Sequence, residues 1–316
     1  MNLSIPINYC VVGLGRHSKT KIMPALISSR HKILGVVTSQ KIESKEYGSI
    51  YRSISEALKN LPPDTVFIIA TPPKVHFNQS KELLLAGRNV IVEKPAFILA
   101  SEAKELAILS TLNNLFLVEN LMYRKNVVYN KLINYWKINH NHIIKIKIVF
   151  LVPEFPADTF RQEDPVPISI LYDIGCYPIS ILYDLNLPLD TLKIFYRDNS
   201  IHIRDEVVIE DNSNRVEISI HVGVSSNYDN YVEIESSNGE TCRFWPFFYG
   251  RSCKSYITTI NNNEPIITDT FEERDSFQSM FDISKEQWLV DQDVRSNQII
   301  SVTTVLEKLC SDLQHI

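Results

Sequence analysis

Residues 11–26 read VVGLGRHSKTKIMPAL, and this stretch decides the first half of the fold. An apolar run ends in Gly13 and Gly15, a pattern typical of the turn between the first strand and first helix of a dinucleotide-binding domain. Gly13 suits a tight exit from the strand, and Gly15 lets the backbone approach a pyrophosphate that the following helix N-terminus would bind. The third glycine of that pattern is replaced by Ser18. The stretch predicts a cofactor turn whose helix sits slightly farther from the strand; the alternative is a glycine turn that binds no nucleotide.

The pattern around this turn divides the chain into two domains. Four further apolar runs follow in the first half, with amphipathic stretches between them: HKILGVVTS, DTVFIIATPP, GRNVIVEKP and NLFLVEN. Continuous apolar strands separated by helices predict a parallel sheet covered on both faces. Later segments such as RVEISIHVGV alternate apolar and polar residues, and DNSN and SSNGE are typical hairpin turns. We therefore predict a parallel α/β domain over residues 1–121 and an α+β domain over residues 122–316 with an open, largely antiparallel sheet. The helices near the C-terminus are candidates for packing back onto the first domain.

Composition narrows the class of protein. The 316 residues are 44% hydrophobic and 22% charged, and the formal net charge is −5. Lysines and arginines are scattered among acids, which argues against a nucleic-acid partner. We expect no signal peptide, because MNLSIPINYC has neither a basic region nor an apolar region before the first strand. We expect no membrane span, because no uninterrupted apolar stretch approaches ~18 residues. The five cysteines are dispersed, which favours reduced thiols in a cytoplasmic protein over disulfides or a zinc site.

The residues after the second apolar run indicate which dinucleotide the domain prefers. A site for NAD usually has Asp or Glu there to bind the ribose hydroxyls. This chain has Thr38, Ser39, Gln40 and Lys41 instead. Hydroxyls and a lysine would bind a 2′-phosphate that a carboxylate would repel, and Arg16 in the turn would add charge or stack on adenine. The sequence therefore favours NADP(H) over NAD(H), although Lys41 also fits an ordinary solvated loop.

Several motifs together resemble the glucose–fructose oxidoreductase / inositol dehydrogenase / MocA family. They are the turn GLGRHSKTKIMPAL, the segment IIATPPKVHF, the run LLLAGRNVIVEKP, the segment LMYRKNVVYNKL and the motif LYDIGCYPI. The likeness is dense over residues 9–125 and returns at residues 171–179. It implies an N-terminal Rossmann domain and a C-terminal substrate-binding domain.

The resemblance also implies residue roles. The lysine of the Glu-Lys-Pro segment, Lys94, would lie beside the nicotinamide and the substrate oxygen, and a cis peptide bond would join it to Pro95. Asp173 and Tyr177 of the Asp-x-Gly-x-Tyr motif would share a helix face that reaches the substrate. The position three residues after Tyr177 is Ser180, where inositol dehydrogenases have Asp, so their His–Asp base pair is absent. The stretch DPVPIS before the motif replaces the family's glycines, which suggests a different substrate pocket.

The expected chemistry is proton exchange at the substrate oxygen. Tyr177 would donate its phenolic proton to a carbonyl, and the ammonium of Lys94 would stabilise the phenolate and the charge that develops on the oxygen. Asp173 would hold a substrate hydroxyl or pair with Lys94. The alternatives are a core aromatic for Tyr177, a strand-end solvent lysine for Lys94 and a surface acid for Asp173.

The full set of candidate site residues follows from the turn, the strand ends and the family motifs. The residues predicted to bind the cofactor are Gly13, Leu14, Gly15, Arg16, His17, Thr38, Ser39, Lys41, Thr71, Pro72, His76, Glu93 and Lys94. The residues predicted to bind substrate are Tyr123, Arg124, Asp173 and Tyr177. His76 is equally compatible with a helix-capping role, and Tyr123 and Arg124 with a structural one. We expect no metal site.

These observations predict an NADP(H)-dependent oxidoreductase that acts on a carbohydrate-like hydroxyl or carbonyl. A keto-sugar or nucleotide-sugar reductase is the first choice. The alternatives are a free-sugar or trans-dihydrodiol dehydrogenase, an imine or bilin reductase, and a regulator that binds cofactor without turnover. The family resemblance implies a homodimer or homotetramer formed through the C-terminal sheet.

Overall fold

The fold is described from a computed structural model, which covers residues 6–29, 31–41, 47–154, 165–198, 203–262, 264–282, 285–290 and 292–313. The chain divides into two compact units. The first comprises Met1–Leu121 and Phe277–Thr303, and the second comprises Met122–Ser276 and Thr304–Ile316. Part of the C-terminal region, residues 277–303, therefore belongs to the first unit.

Within the described residues, the first unit is built on six parallel strands in the order β3-β2-β1-β4-β5-β6. The strands are β1 (Asn8–Val12), β2 (Lys32–Val37), β3 (Ser49–Tyr51), β4 (Val66–Ile69), β5 (Val90–Val92) and β6 (Leu117–Glu119). The central strands β4 and β5 are fully buried, as expected for a parallel sheet with both faces covered. The short edge strand β3 is absent from the sequence prediction because three residues carry too little pattern.

The connections of the first unit are helical. They are a π-helical turn (Ser18–Ile22) that leads into α1 (Met23–Ser28), then α2 (Ile54–Asn60), α3 (His76–Leu85) and α4 (Ala100–Leu112). Ser53 caps α2, because its side chain accepts a hydrogen bond from the Glu56 backbone N–H. The returning segment contributes α8 (Ser276–Phe281), α9 (Lys285–Val290) and the first part of α10 (Gln292–Leu313).

The second unit carries an eight-stranded sheet in the order β14-β13-β12-β11-β7-β10-β9-β8. Its strands are β7 (Ile143–Val152), β8 (Lys193–Asp198), β9 (Ile203–Asp211), β10 (Glu217–Ser225), β11 (Asp229–Ser236), β12 (Thr241–Trp245), β13 (Cys253–Asn261) and β14 (Glu264–Glu273). All neighbours pair antiparallel except β7 and β10, which run parallel. The prediction of a largely antiparallel sheet is therefore confirmed, with one parallel pair at its centre.

One boundary near the C-terminus differs from the sequence prediction. The pattern of residues 272–290 predicts a helical segment, but Glu272 and Glu273 end strand β14, and helix α8 begins at Ser276. The reason is that residues 264–273 pair antiparallel with the preceding strand β13, and this pairing extends to Glu273.

The helices of the second unit are α5 (Val127–Asn139), α6 (Val166–Ile170) and α7 (Cys176–Asp184), with a π-helical turn (Leu171–Gly175) between the last two. The run Val166–Asp184 is apolar and long enough to cross a membrane by composition, but 78% of it is buried inside the protein, as in a core helix. Pro165 caps this run and Pro167 lies in its first turn, while Asp164 of the DPVPIS stretch is outside the described residues. The five cysteines are free thiols, and four of them are buried.

Candidate active site

The glycine turn follows β1 and has the geometry that a dinucleotide requires. Gly13 has a φ of 93°, and a Cβ there would lie 2.8 Å from Thr71 Cγ2, so no other residue fits without strain. A Cβ at Gly15 would meet no atom within 4 Å, which means that open space lies over this part of the turn. The first helical N–H groups after Gly15 are the unpaired donors that bind phosphate in such folds. The turn therefore fits the pyrophosphate of a dinucleotide, which stays a prediction for Leu14, Gly15 and Arg16.

Ser18 replaces the third glycine by making its own bond to the turn. Its side chain is fully buried, and its hydroxyl donates a 2.7 Å hydrogen bond to the Gly13 carbonyl. The helix is π-helical over Ser18–Ile22, beginning at this residue. The π turn thus begins at the residue that replaces glycine, while the predicted larger distance between helix and strand stays a prediction.

His17 connects the glycine turn to the Glu-Lys-Pro segment. Its Nε2 lies 3.3 Å from Glu93 Oε1, and its ring packs edge-on against Phe277 with centroids 5.4 Å apart. Glu93 is buried and also accepts a 2.5 Å hydrogen bond from the Asn120 side chain. Burial alone would raise the pKa of Glu93, but His17, Asn120 and the Lys94 ammonium together hold that pKa below its ordinary value. Glu93 is therefore an ionised carboxylate that ties two loops of the first unit together.

The end of β2 carries the residues predicted to select the dinucleotide. Thr38 is buried, while Ser39, Gln40 and Lys41 are exposed. Arg52, which follows β3, reaches back to this loop and donates hydrogen bonds to the carbonyls of Thr38 and Gln40. Sequence reasoning misses Arg52, because β3 has too few residues to be recognised.

The loop after β4 holds Thr71, Pro72 and His76. The Thr71 hydroxyl donates to Gln79 Oε1 at 2.6 Å, and Pro72 precedes a short 3₁₀ turn (Pro73–Val75). His76 is completely buried: one ring nitrogen faces the Thr71 carbonyl at 2.8 Å, and the other faces the Pro95 and Ala96 carbonyls at 3.1 Å. Burial lowers the pKa of His76, although the three carbonyls oppose this. His76 ties the loop after β4 to the segment that follows Lys94. It does not take the alternative helix-capping role, because Val75 is the N-cap of α3.

Lys94 lies two residues beyond the carboxyl end of β5 and is half-buried. The peptide bond between Lys94 and Pro95 is cis, as the family resemblance implies. The next backbone N–H, that of Ala96, donates to Glu119 Oε1 at 2.9 Å, and Gln298 donates to the other oxygen of Glu119 at 3.0 Å. Both neighbours of the Lys94–Pro95 bond, Glu93 and Ala96, are therefore held by buried side chains. Glu119 and Gln298 give no signal in the sequence.

Asp173 and Tyr177 lie in the second unit on one helical run. Asp173 falls in the π-helical turn Leu171–Gly175, and Tyr177 in the first turn of α7. The Tyr177 ring packs against Tyr123, Phe150 and Phe248, with centroids 5.4–5.6 Å away. Their exposed fractions are 5% for Asp173 and 6% for Tyr177, so little of either side chain meets solvent in this unit. Neither is a surface residue, which argues against the alternative of a surface acid for Asp173.

Tyr123 and Arg124 occupy a polar network beneath this helix. The Tyr123 hydroxyl bonds with the Ser180 hydroxyl at 2.6 Å, and Ser180 in turn donates to the Tyr177 carbonyl at 2.7 Å. Arg124 makes two hydrogen bonds to the Asp184 carboxylate, at 2.9 Å and 2.6 Å. These contacts favour the structural alternative for both residues. They also give Ser180 a function in this chain: it supports the backbone of Tyr177.

Comparison with known proteins places the first unit. Residues 7–119 match the family GFO_IDH_MocA, described as an oxidoreductase family with an NAD-binding Rossmann fold. The chain is 31% identical over 111 residues to the uncharacterised oxidoreductase YdgJ of Escherichia coli, covering 34% of this chain and 32% of that protein. It is 31% identical over 90 residues to galactose 1-dehydrogenase of Pseudomonas fluorescens, covering 28% of this chain and 29% of the enzyme. The matched part thus spans about a third of the length of these relatives.

The whole fold is also found among solved structures. A Tyr-to-Phe mutant of a 3-ketoreductase from Actinomadura kijaniata, in complex with TDP-benzene and NADP, superposes with a TM-score of 0.80. The sequences are 16% identical, and the alignment covers 98% of each chain. At this identity the likeness shows the fold alone, and it confirms the prediction of a Rossmann unit followed by a mixed, mostly antiparallel sheet.

Proposed function

We propose that the chain, whose residues 7–119 match the GFO_IDH_MocA oxidoreductase family, is an NADP(H)-dependent oxidoreductase that reduces a keto-sugar or nucleotide-sugar. The observation that carries this proposal is the arrangement around Lys94. Buried side chains hold the backbone on both sides of it, and the contact between Glu93 and His17 connects it to the glycine turn, which has open space over Gly15. The 3-ketoreductase of the same fold, which was solved with NADP and a TDP compound, supports the choice of substrate class.

NADPH, when bound, would supply a hydride to the substrate carbon. The chain's own residues would do the rest. Backbone N–H groups after Gly15 would hold the pyrophosphate, and the residues after β2 would hold the adenosine end. Lys94 stabilises negative charge on the substrate oxygen, and Tyr177 donates the proton that this oxygen takes up. Asp173 binds a substrate hydroxyl. The Tyr123–Ser180 bond and the packing of the Tyr177 ring limit movement of the proton donor.

The experiment compares steady-state rates of NADPH oxidation with nucleoside-diphosphate keto-sugars for the wild type, Lys94→Ala, Tyr177→Phe and the double variant. Each single variant should lower kcat by about 10²–10⁴-fold, because general acid catalysis contributes that much, while the Kd for NADPH stays within about threefold. Because the two residues serve one proton transfer, the double variant should be little slower than the slower single variant. Tyr183→Phe, on the same helix, and Lys104→Ala, on α4, are the matched controls and should keep full activity.

Multiplying effects in the double variant would contradict the shared-proton scheme. Full activity of Tyr177→Phe would return Tyr177 to a packing role. Cofactor binding without turnover of any keto-sugar, free sugar, imine or bilin would favour the regulator instead. Oxidation of free sugars with NADP⁺ is the second candidate function, and its support is the relative named galactose 1-dehydrogenase.

We further propose a cytoplasmic homodimer or homotetramer that associates through the open sheet of the second unit. On the exposed side of that sheet Trp245 stacks on Tyr256, with centroids 5.4 Å apart, and Arg243 lies over Tyr231 at 4.6 Å. Light scattering of the wild type and of Trp245→Glu tests this proposal. A monomeric wild type, or an unchanged mass for the variant, would contradict the role of this face.

A further inference from the structure

The loop at the carboxyl end of β2 is held by side chains from two other segments of the first unit. Arg52 donates from Nη1 to the Gln40 carbonyl at 2.8 Å and to the Thr38 carbonyl at 3.2 Å. Lys19, from the π turn after the glycines, donates to Gln40 Oε1 at 3.0 Å. The helix after the glycine turn and the loop after β3 thus both bind the segment where a dinucleotide's adenosine ribose is expected.

The sheet register places Arg52 beside this loop. Val37 of β2 pairs with Tyr51 of β3, and the Thr38 N–H donates to the Tyr51 carbonyl at 3.0 Å. Arg52 is the next residue, and its own N–H donates to Glu56 Oε2 at 2.6 Å. The backbone of Arg52 is therefore fixed from the α2 side and its side chain from the β2 side.

The guanidinium of Arg52 has donors to spare. It carries five N–H groups, and in the described part of the chain only Nη1 is engaged. Lys19 and Arg52 both donate hydrogen bonds to this loop, and Lys41, the residue after Gln40, is exposed. Two cationic side chains held at one strand end, with a third next to them in sequence, suit a doubly charged anion rather than a neutral ribose.

We propose that Arg52 is the specificity-determining residue for a ribose 2′-phosphomonoester, assisted by Lys19 and Lys41. A planar, permanently charged fork matches the oxygens of a phosphate monoester, and Arg is superior to Lys where donors must be aimed. Arg52 is pre-aimed, because its two carbonyl contacts fix the guanidinium before any ligand arrives. The proposal rests on the proposed NADP(H) function and assigns the choice of cofactor to a residue of the β3–α2 segment rather than to the residues after β2 alone.

The test measures Kd by titration calorimetry on the full chain with NADPH, NADH, adenosine 2′,5′-bisphosphate and adenosine 5′-monophosphate. Arg52→Ala should weaken NADPH and the bisphosphate by about 10–100-fold, the loss expected for charge-assisted hydrogen bonds. NADH and the monophosphate should change by less than about twofold. Arg52→Lys should recover part of the loss, and Lys59→Ala, an equal change of charge on α2, should leave all four affinities unchanged.

The outcomes separate this inference from the proposed function. A wild type that prefers NADPH, together with an unchanged NADPH-to-NADH ratio in Arg52→Ala, overturns the role of Arg52 and leaves the function standing. Equal weakening of all four ligands also overturns it, because Arg52 would then only brace the loop. A wild type that binds NADH as tightly as NADPH contradicts the cofactor preference itself. If Arg52→Ala does not fold, Arg52→Gln and Arg52→Lys give the same comparison.

Discussion

Replacing Ser18 tests how this chain manages without the third glycine of its cofactor turn. Ser18→Ala removes a fully buried hydroxyl that donates to the Gly13 carbonyl at 2.7 Å. A net intramolecular hydrogen bond is worth about 0.5–1.5 kcal/mol, and a buried acceptor left without a donor costs about 1–3 kcal/mol. We therefore expect Ser18→Ala to lower the free energy of unfolding by about 1–2 kcal/mol.

Ser18→Gly restores the usual residue and should still be worse than Ser18→Ala. It loses the same hydrogen bond, and glycine within a helix costs about 0.5–1 kcal/mol more than alanine. The expected total is a loss of about 1.5–3 kcal/mol. NADPH affinity should change by less than about threefold in both variants, because the backbone N–H groups that would bind phosphate remain.

Urea denaturation followed by circular dichroism measures the loss. Thr20→Ala is the matched control, since the Thr20 hydroxyl donates to the Arg16 carbonyl at 2.9 Å on the exposed side of the same helix. Its effect should stay below about 0.5 kcal/mol, as for surface substitutions. A Ser18→Gly variant as stable as the wild type would refute the reasoning, because the hydroxyl would then contribute nothing that glycine cannot replace.

Two further predictions concern buried charges. The pKa of Glu93 is held below its ordinary value, so its contribution to stability is present above the unfolded pKa of about 4.3 and is lost as pH falls through the folded pKa. Glu93→Gln should therefore be less stable than the wild type at pH 7, and its urea midpoint should fall less between pH 6 and pH 3. Equal decreases of the urea midpoint for the two proteins over this pH range would count against this. Asp184 is partly buried, and desolvation raises its pKa although the Arg124 guanidinium opposes this. Asp184→Asn leaves Arg124 without its counter-charge and should cost up to about 3 kcal/mol, the lower end of the range for a buried pair. Urea denaturation measures this loss against the exposed control Asp190→Asn, and an equal midpoint for the two variants would mean that the pair contributes little.

Local pattern was enough to predict the first unit and its motifs. An apolar run followed by two glycines has few structural solutions, and the positive φ of Gly13 is the one that the sequence implies. The alternation of Val216, Ile218, Ile220 and Val222 likewise predicted one buried face of β10, and all four are buried. Such features depend on residues close together in the chain, which is why they can be predicted without coordinates.

Features that depend on distant residues could not be predicted. Nothing near His31 in sequence indicates that its ring accepts from the Ile7 N–H and donates to the Phe281 carbonyl, 250 residues away. The return of residues 277–303 to the first unit rests on such contacts. The two π-helical turns, Ser18–Ile22 and Leu171–Gly175, could not be predicted either. A π turn depends on the packing around it as well as on local helix propensity.

The contacts of His17 suggest why this turn carries a histidine. His17 connects three parts of the first unit. It belongs to the predicted cofactor turn, and its ring contacts Glu93, next to Lys94, and Phe277 of the returning segment. A ligand phosphate at the turn would be a second anion competing with Glu93 for the same imidazole. Occupation of the turn should therefore be felt at the Glu-Lys-Pro segment through one side chain, since Glu93 is fixed on its other side by Asn120. Substitutions in the glycine turn are therefore expected to change the position of Lys94 through His17 and Glu93, although Lys94 itself is unchanged.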